Sequence, residues 1–247
     1  MKKNKEINAA ILVIGNEILS GRTKDTNTST IATWLNTIGI KVQEVRVVPD
    51  VEKKIISSIN ILRKNFKYVF TTGGIGPTHD DITASSIAKA FKLKYGPHKK
   101  AMSILKKYYK PGEFNEGRQK MAWMPITAHL ILNPTSGAPG FNVENVFCLP
   151  GVPSILKSML GGITHKLTGG KPILSQTINL RTVESEISKS LSNVQDKNKD
   201  VDIGSYPFFK AGRLGVAIVL RSSEQKKIDK CNLEITNFVK EKNIEIV

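Results

Sequence analysis

The residues best suited to chemistry in this sequence form one segment, TTGGIGPTHDD, from Thr71 to Asp81. Aromatic and β-branched residues at its start favour a strand, and Gly73, Gly74 and Gly76 permit backbone conformations that side chains forbid. Such a turn can present N–H groups to an anion, and the helical pattern that follows places it at a helix N-terminus. The segment therefore predicts a binding site for the phosphates of a nucleotide or a pterin. The alternative is that the glycines only form a tight turn between a strand and a helix.

Two carboxylates, Asp80 and Asp81, end this segment. Negative charge beside a phosphate is unfavourable unless a divalent cation or a proton-transfer role compensates for it. One of the acids could instead cap the following helix, but capping requires only one. The pair therefore predicts a divalent metal, Mg²⁺ or a similar ion, at the end of the glycine loop.

A second polar segment, residues 15–27, follows the first predicted strand. Ligands bind at the carboxyl ends of strands in an open parallel sheet, so this loop and the Thr71 loop lie side by side if their strands are neighbours. Asp25 and Asn27 suit either a ligand site or a helix cap. The segment adds these candidate site residues: Glu17, Ser20, Gly21, Asp25 and Asn27.

Two more Pro/Gly loops follow predicted strands. They are NPTSGAPGF at residues 133–141 and LPGVPS at residues 149–154. Because parallel strands end at one edge of their sheet, the four loops are predicted to converge there.

The elements that must position these loops fall into two regions. From residue 9 to about 160, apolar runs alternate with amphipathic helical patterns, which is typical of a parallel sheet covered by helices. The predicted strands are 9–14, 40–48, 68–72, 129–132 and 146–149. The predicted helices are 28–38, 51–62 with Asp50 as its cap, 82–91, 99–121 with a break near Pro111, and 154–160.

Glycine-rich stretches at 161–162 and 168–172 indicate a linker. Beyond it, strands are predicted at 173–181, 201–206, 214–220 and 244–247, with helices at 184–194 and 224–240. The order βαββαβ indicates a small α+β ferredoxin-like domain. We therefore expect two domains, residues 1–170 and 171–247.

Composition narrows the functional classes. No apolar run approaches the roughly 20 residues of a membrane span, and the run near the N-terminus is too short for an export signal. Cys148 and Cys231 are far apart and lack zinc-ligand spacing, which indicates reduced thiols in a cytoplasmic protein. The net charge of +16 suggests nucleic acid, but the lysines are dispersed and not clustered with aromatic residues; a field that attracts small anions fits better.

The four loops together resemble the MoaB/Mog molybdopterin-binding domain. The resemblance is greatest to its form at the N-terminus of competence-damage-inducible protein A (CinA), and it extends to the related domain of eukaryotic FAD synthase. The matching motifs are GNEILSG with Asp25-Thr26-Asn27, the Thr71 segment, and the third and fourth loops. Ser205-Tyr206-Pro207 is similar to the tail of the CinA subfamily. The resemblance implies a three-layer α/β/α sandwich around a mostly parallel sheet.

The resemblance also implies roles for individual residues. In Mog-type enzymes the glycine loop, the acid after it and the acid of the Asp-Thr-Asn motif serve molybdopterin adenylylation, which points to Asp81 and Asp25. Arg118, in a segment of the form Asn-x-x-Arg-x-Gln, would either clamp a phosphate or pair with a glutamate on a helix surface. The pocket residues implied by the other matches are Gly73, Gly74, Gly76, Ser136, Gly137, Pro150, Gly151 and Ser154.

The CinA branch is associated with metal-dependent hydrolysis of dinucleotide pyrophosphates such as ADP-ribose, and the FAD synthase domain with hydrolysis of FAD. The Thr-His-Asp-Asp ending matches the CinA form, which favours a divalent-metal-dependent nucleotide pyrophosphatase. Asp81 with Asp25 or Asp80 would then hold the metal, and Glu17 would orient the attacking water or anchor its loop. His79 would be an acid, a phosphate ligand or a solvent-facing residue.

Two alternatives remain open. The protein could bind or adenylylate molybdopterin, or it could be a non-catalytic module that binds a partner. Members of the family form dimers or trimers, so the resemblance implies a homo-oligomer. Apart from the MoaB/Mog-like domain, no segment resembles the nicotinamide mononucleotide deamidase domain of CinA or a domain of FAD synthase, so deamidation is not expected.

Overall fold

The computed structural model describes residues 7–210 and 212–247. The chain forms two compact units, one ending at Gly170 and the other beginning at Lys171. Within the described ranges, every helix is too short or too polar to cross a membrane.

The first unit contains eight strands, seven α-helices and one 3₁₀ helix among its described residues. In chain order they are β1 (Asn8–Ile14), α1 (Asn16–Leu19), α2 (Asn27–Thr37), β2 (Lys41–Val48), α3 (Glu52–Asn65), β3 (Tyr68–Thr72), α4 (Thr83–Ala90), β4 (Tyr95–Pro97), α5 (Lys99–Tyr108), α6 (Glu116–Lys120), β5 (Trp123–Pro125), β6 (His129–Ile131), β7 (Gly140–Val143), β8 (Val146–Leu149), α7 (Pro153–Leu160) and the 3₁₀ helix (Gly161–Lys166).

Six of these strands form one sheet in the order β2-β1-β3-β8-β7-β6. The pairs β1–β2, β1–β3 and β3–β8 are parallel, whereas β7 is antiparallel to both β8 and β6. Strands β1, β3 and β8 are therefore neighbours whose carboxyl ends meet at one edge. This arrangement confirms the predicted mostly parallel sheet. It brings together three of the four loops, which are numbered from here in chain order: the first loop (residues 15–27), the second (71–81) and the fourth (149–154).

Strand β1 is buried on both faces because it lies inside the sheet and between two helical layers. Its even-numbered residues, such as Leu12, pack with residues of α3, α4 and α5. Its odd-numbered residues, such as Ile11, pack with residues of α2 and α7. The alternation of side chains along a strand thus divides the core into two halves, which confirms the predicted three-layer sandwich.

The sequence prediction missed three short strands. The predicted helical region 99–121 is two separate helices, α5 and α6, and the antiparallel pair β4–β5 flanks them. Strand β7 overlaps the predicted loop 133–141, because Pro139 precedes the strand and Gly140 begins it. The Gly161-Gly162 pair, predicted as linker, begins the 3₁₀ helix, where Ile163 is fully buried in the core.

The second unit consists of β9 (Leu174–Leu180), α8 (Glu184–Lys197), β10 (Asp202–Lys210), β11 (Arg213–Ser222) and α9 (Gln225–Glu241). Its antiparallel sheet has the order β10-β11-β9. The predicted fourth strand is reduced to a bridge between Leu180 and Ile246, supported by the hydrogen bond from Val247 N to Asn179 O. With this bridge the unit has the predicted ferredoxin-like order.

Each unit has one fully buried cysteine, and neither cysteine forms a disulfide. Cys148 lies in β8 within the core of the first unit, and Cys231 lies in α9 within the core of the second. Burial raises the pKa of Cys148 to about 12 and that of Cys231 to about 11. Both groups are therefore neutral thiols near pH 7, which excludes them as nucleophiles in the folded protein.

Candidate functional site

The first, second and fourth loops touch one another at the carboxyl edge of the sheet. A Cβ atom on Gly73 would lie 2.1 Å from the carbonyl oxygen of Ile14, and one on Gly151 would lie 3.5 Å from Gly73 Cα. The N–H of Gly73 also donates to Leu149 O at 3.1 Å. Glycine is therefore required at Gly73, because any side chain there would separate the loops.

A small cavity of about 50 Å³ lies between these loops. That volume is far smaller than the few hundred Å³ of a typical small-molecule pocket, so most of any ligand would rest above it on the loops. Its lining residues are Val13, Ile14, Glu17, Ile18, Thr23, Lys24, Asp25, Thr26, Asn27, Thr72, Gly73, Gly151 and Pro153.

Asn27 is the buried polar side chain of this cavity, with 6% of its surface exposed. Its Nδ2 donates to Gly151 O at 2.7 Å, which ties the start of α2 to the fourth loop. Its Oδ1 is buried and has no hydrogen-bond partner among the described residues. An unpaired buried acceptor is costly, so Asn27 Oδ1 marks a position where a ligand or water donor would be stabilising.

The glycine turn after β3 is held open by Thr83, the first residue of α4. Thr83 Oγ1 donates to Gly73 O at 2.9 Å, and Thr83 N donates to Gly74 O at 2.9 Å. Gly73 and Gly74 have φ angles of +95° and +67°. The N–H groups of Gly74, Ile75 and Gly76 make no hydrogen bond within the described parts of the chain. Unpaired N–H groups in a glycine turn are suited to an anion.

Asp81 closes the glycine turn. Its Oδ2 accepts hydrogen bonds from Thr78 N at 2.8 Å and Thr78 Oγ1 at 2.5 Å. Its Oδ1 accepts none from the described residues. The carboxylate also lies against Gly76, where a Cβ atom would be 2.7 Å from Oδ2. One carboxylate oxygen of Asp81 therefore remains available to a ligand beside the turn.

Asp80 is fully exposed, and its pKa lies below the usual 3.8, chiefly because of its hydrogen-bonding contact with Thr78. The charges of His79 and Lys120 lower the pKa further. A hydroxyl carries one proton, so Asp80 and Asp81 compete for the single O–H of Thr78, which donates to Asp81 in this arrangement. His79 itself is exposed, and Lys120 Nζ donates to Thr78 O.

Asp25 caps helix α2. Its Oδ1 accepts from Asn27 N at 2.9 Å and from Thr28 N at 3.2 Å, and its Oδ2 accepts from the Thr28 hydroxyl. This is the alternative that the sequence left open for this residue. Asp25 still lines the cavity, but its two oxygens hold the helix start that presents Asn27.

The rest of the first loop is exposed. Glu17 lies over Gly15, where a Cβ atom would be 2.5 Å from the carboxylate, and Ser20 Oγ donates to Glu17 O at 3.3 Å. Gly21 has a φ of +74°. Asp50, predicted to cap α3, instead accepts a hydrogen bond from Asn16 N at 2.8 Å. Asp50 therefore anchors the first loop, and its position directly after β2 was the available signal.

The third loop is an internally bonded turn. Asn133 Oδ1 accepts from the N–H groups of Thr135 and Ser136, and its Nδ2 donates to Ser136 Oγ at 2.7 Å. Gly137 has a φ of +73° and lies against the ring of Tyr108, 2.5 Å from where its Cβ would be. Ser136 and Gly137 thus have local structural contacts, and neither lines the small cavity.

The fourth loop leads into α7. Pro153 is the first residue of this helix, and no side chain in the described part of the chain caps its N-terminus, so free N–H groups there carry partial positive charge. Gly151 borders the cavity, Pro150 is partly buried before it, and Ser154 is exposed in the first turn. This loop therefore contributes backbone donors and a helix N-terminus to the site.

Arg118 lies in α6, a helix that adjoins the glycine loop through the bond from Lys120 to Thr78 O. Its guanidinium donates to Glu113 O, lies 3.6 Å from Glu113 Oε2 and covers the Tyr109 ring at 4.2 Å. These contacts are those expected if Arg118 pairs with a glutamate on a helix surface, and that glutamate is Glu113. A phosphate clamp would require the guanidinium to leave them.

A divalent cation fits this site only in part. Among the described residues, no group of three or more His, Cys, Asp and Glu side chains is arranged to hold a metal. Magnesium, however, is often bound by one or two carboxylates together with substrate phosphates and waters. Asp81, with one free oxygen, and the exposed Asp80 suit a cation that arrives with a phosphorylated ligand.

The fold and the site define a class: an α/β/α sandwich protein whose glycine loops meet at the carboxyl edge of the sheet. Residues 10–169 match the family described as a probable molybdopterin binding domain. The chain belongs to this family, and it has the CinA-like form of the MoaB/Mog domain.

Known proteins extend this likeness. A protein of Archaeoglobus fulgidus is 34% identical over 217 residues, covering 88% of this chain and 92% of its own length. A protein of Pyrobaculum calidifontis is 32% identical, covering 81% and 80% respectively. The crystal structure of CinA from Thermoplasma acidophilum, a protein described as of unknown function, matches with 33% identity and a TM-score of 0.60, over 64% of this chain and 96% of that one.

The second unit corrects one prediction from the sequence. Residues 172–247 match the family described as the middle domain of FAD synthase, whereas no FAD synthase segment was expected. The βαββαβ order is shared by many unrelated domains and carries no motif that names a family. The one local signal, Ser205-Tyr206-Pro207, was attributed only to the CinA tail.

Proposed function

We propose that this protein is a divalent-metal-dependent hydrolase of nucleotide pyrophosphates such as ADP-ribose or FAD. The observation that carries the proposal is the free oxygen of Asp81 directly beside a glycine turn whose N–H groups are unpaired. Anion donors and a carboxylate side by side suit a substrate that brings both phosphates and a cation.

The N–H groups of Gly74, Ile75 and Gly76 would bind the phosphate oxygens. The uncapped N-terminus of α7 faces the same group of loops through Gly151 and would favour the negative charge of the second phosphate. These donors are held by packing before the ligand arrives, so binding would require little rearrangement.

Asp81 and Asp80 would hold the cation. When bound, a divalent ion neutralises charge on the phosphates and lowers the pKa of the attacking water. The pKa of Asp80 is already lowered, so this carboxylate is ionised near neutral pH. Thr78 orients Asp81 through its N–H and hydroxyl. Asp25 acts through Asn27, because it fixes the helix start that directs the Asn27 amide into the cavity.

Two features bear on the substrate. The match of residues 172–247 to the FAD synthase middle domain supports flavin nucleotides among the candidates. The excess of basic residues gives the protein a positive field, which would draw in anionic dinucleotides. The alternative that the protein binds or adenylylates molybdopterin is favoured by its family membership and by Asn27 Oδ1, a buried acceptor that suits an N–H donor of a pterin.

The test is a turnover assay with ADP-ribose, FAD and NAD, and with molybdopterin plus ATP, each with Mg²⁺, Mn²⁺ or EDTA. We expect AMP release from ADP-ribose or FAD, dependent on metal and lost in Asp81→Asn. Asp196→Asn, which removes an exposed carboxylate in the second unit, is the matched control and should retain activity.

Two results would overturn the proposal. One is full activity in Asp81→Asn, and the other is the absence of AMP release from a folded, metal-loaded protein. Adenylylation of molybdopterin without pyrophosphate hydrolysis would establish the alternative function. Retention of molybdopterin or nucleotide without any turnover would indicate a binding module.

A further inference from the structure

A second and larger cavity, of about 670 Å³, runs along β6, the strand at one end of the six-stranded sheet. This volume lies in the range of small-molecule sites. The cavity, here called the β6 cleft, shares no lining residue with the cavity beside Asn27. Its lining residues are His98, Lys100, Ala128, His129, Leu130, Leu132, Gly162, His165 and Lys166.

The β6 cleft spans the edge of the sheet from one helical layer to the other. His98 and Lys100 come from the start of α5, whose buried residues pack in one half of the core. His165 and Lys166 end the 3₁₀ helix, which packs in the other half through Ile163. Because both walls are fixed to the core, the cleft is built by the fold and not by a loose loop.

Among the residues that the structure describes, every titratable residue lining the β6 cleft is basic and none is acidic. The side chains of four of these residues, Lys100, His129, His165 and Lys166, have no hydrogen-bond or ion-pair partner in the described ranges. Elsewhere in the chain, several lysines pair with carboxylates, as Lys89 does with Glu52 at 2.7 Å. The cleft thus gathers positive charge that the protein does not neutralise itself.

Two basic residues of the β6 cleft, Lys166 and His98, have different surroundings. Burial lowers the pKa of Lys166, because its ammonium loses water without gaining an anion. His98 is different: its Nδ1 accepts from Ala101 N at 3.3 Å, and its Nε2 lies 3.2 Å from Ala128 O. Those contacts place the proton of Nε2 toward Ala128 O, so His98 shapes the wall, while Lys100 and Lys166 supply positive charge and His129 and His165 add imidazole nitrogens.

We propose that the β6 cleft binds a small organic phosphate, whose phosphoryl group is held by Lys100, His165 and Lys166 and whose organic part rests on Leu130 and Leu132. Leu132 is 60% exposed, which leaves an apolar surface next to the cationic groups. A second copy of this chain is a poor occupant, because it would bring the same unpaired positive charges face to face. The proposal is independent of the function proposed for the glycine-loop site.

The chain offers a site-resolved test because it contains four histidines. His98, His129 and His165 line the β6 cleft, whereas His79 lies in the glycine loop. Imidazole signals in NMR spectra can be assigned with single His→Gln variants. AMP is the probe, with adenosine and inorganic phosphate as comparisons.

We expect saturable shifts of the His129 and His165 signals with AMP, weaker effects with inorganic phosphate and none with adenosine. The double variant Lys100→Ala/Lys166→Ala should weaken binding about fivefold. Lys99→Ala, a neighbouring exposed lysine outside the cleft, is the matched control.

The NMR titrations distinguish phosphate binding in the β6 cleft from a protein partner there and from binding at the glycine loop. Unchanged His129 and His165 signals at saturating AMP, or equal AMP affinity in the Lys100→Ala/Lys166→Ala variant, would overturn the proposal. A response to an acidic peptide such as oligoglutamate and not to AMP would also overturn it, in favour of a protein partner at the edge of β6. Shifts of His79 report the glycine-loop site, so failure of one site is distinguished from failure of the other.

Discussion

The loops after β1 and β3 end in carboxylates at the same edge of the sheet, yet the two loops use these acids differently. In the first loop both oxygens of Asp25 are engaged by the start of α2. In the second loop Asp81 is bound through Oδ2 alone, and Asp80 is fully exposed. The carboxylate of the first loop therefore stabilises the start of a helix, whereas the second loop keeps carboxylate oxygens available to a ligand.

The difference arises from the turn that precedes each acid. Asp81 comes three positions after Thr78, so a short turn closes on one carboxylate oxygen while the glycines before it leave N–H groups unpaired. Asp25 directly precedes the first turn of α2, where free N–H groups attract its oxygens. Whether a carboxylate oxygen stays available to a ligand is therefore decided by the nearest unpaired N–H groups and not by residue type alone.

The largest expected effect is a difference in AMP release between variants of Asp81 and Asp25. Asp81→Asn should reduce metal-dependent AMP release about 100-fold, since an amide is a poor ligand for a divalent cation. Asp25→Asn should reduce it no more than about threefold, because Asn is a good helix cap. Steady-state turnover of ADP-ribose or FAD measures both. Equal losses in the two variants would make Asp25 a metal ligand and remove the contrast between the loops.

A second pair of variants compares the backbones of the two loops. Gly74→Ala should destabilise the first unit by about 3 kcal/mol, because the residue has a positive φ and its Cβ would lie 2.1 Å from Thr83 Oγ1. Gly21→Ala should cost about 1 kcal/mol, since its φ is also positive but nothing lies within 4 Å. Urea unfolding followed by circular dichroism tests this. Similar midpoints would show that the contact with Thr83 is easily relieved.

The capping role of Asp25 predicts a smaller change in stability. Asp25→Ala should lower the free energy of unfolding by about 1 kcal/mol, because the N–H groups of Asn27 and Thr28 lose their acceptor. Thermal unfolding should shift down by about 3 °C. Asp80→Ala, which removes an exposed acid of the other loop, should leave the midpoint unchanged. A shift in Asp80→Ala as large as that in Asp25→Ala would contradict the assignment.

The smallest expected effect concerns the shared hydroxyl of Thr78. In the wild-type protein the Asp80 carboxyl should titrate below 3.8, and Thr78→Val should move its pKa upward, toward that value. Because the folded-state pKa is depressed, any stabilisation that Asp80 provides is present above about pH 4 and lost as the pH falls through the lowered pKa. Carboxyl ¹³C titration by NMR measures the pKa directly. An unchanged pKa in Thr78→Val would assign the depression to the backbone N–H of Asp80 and the charges of His79 and Lys120 instead.

Much of the first unit follows from its sequence. The apolar runs of β1, β3 and β8 predicted buried parallel strands, and the sheet confirms them as neighbours. The convergence of the loops then follows from the rule that ligand sites lie at the carboxyl ends of strands. Short strands such as β4 and β7 are missed, because three or four residues leave too little periodicity to detect.

The use of each polar group could not be predicted in the same way. Residue type does not distinguish an aspartate whose carboxylate caps a helix from one that keeps an oxygen free, and the positions of nearby N–H groups are what separate Asp25 from Asp81. The unpaired Asn27 Oδ1 likewise depends on where Gly151 lies, 124 residues further along the chain. The basic β6 cleft gathers residues from three separate segments that carry no motif.

Each unit contains one buried cysteine whose reactivity can report how often that unit opens. Cys148 and Cys231 are fully buried, one in each core, and both thiols are largely protonated near pH 7. A thiol-reactive reagent can therefore modify each cysteine only when its own unit opens. The labelling rates of Cys148 and Cys231, resolved by peptide mass spectrometry, would report the opening of the two units separately in a single sample of unmodified protein.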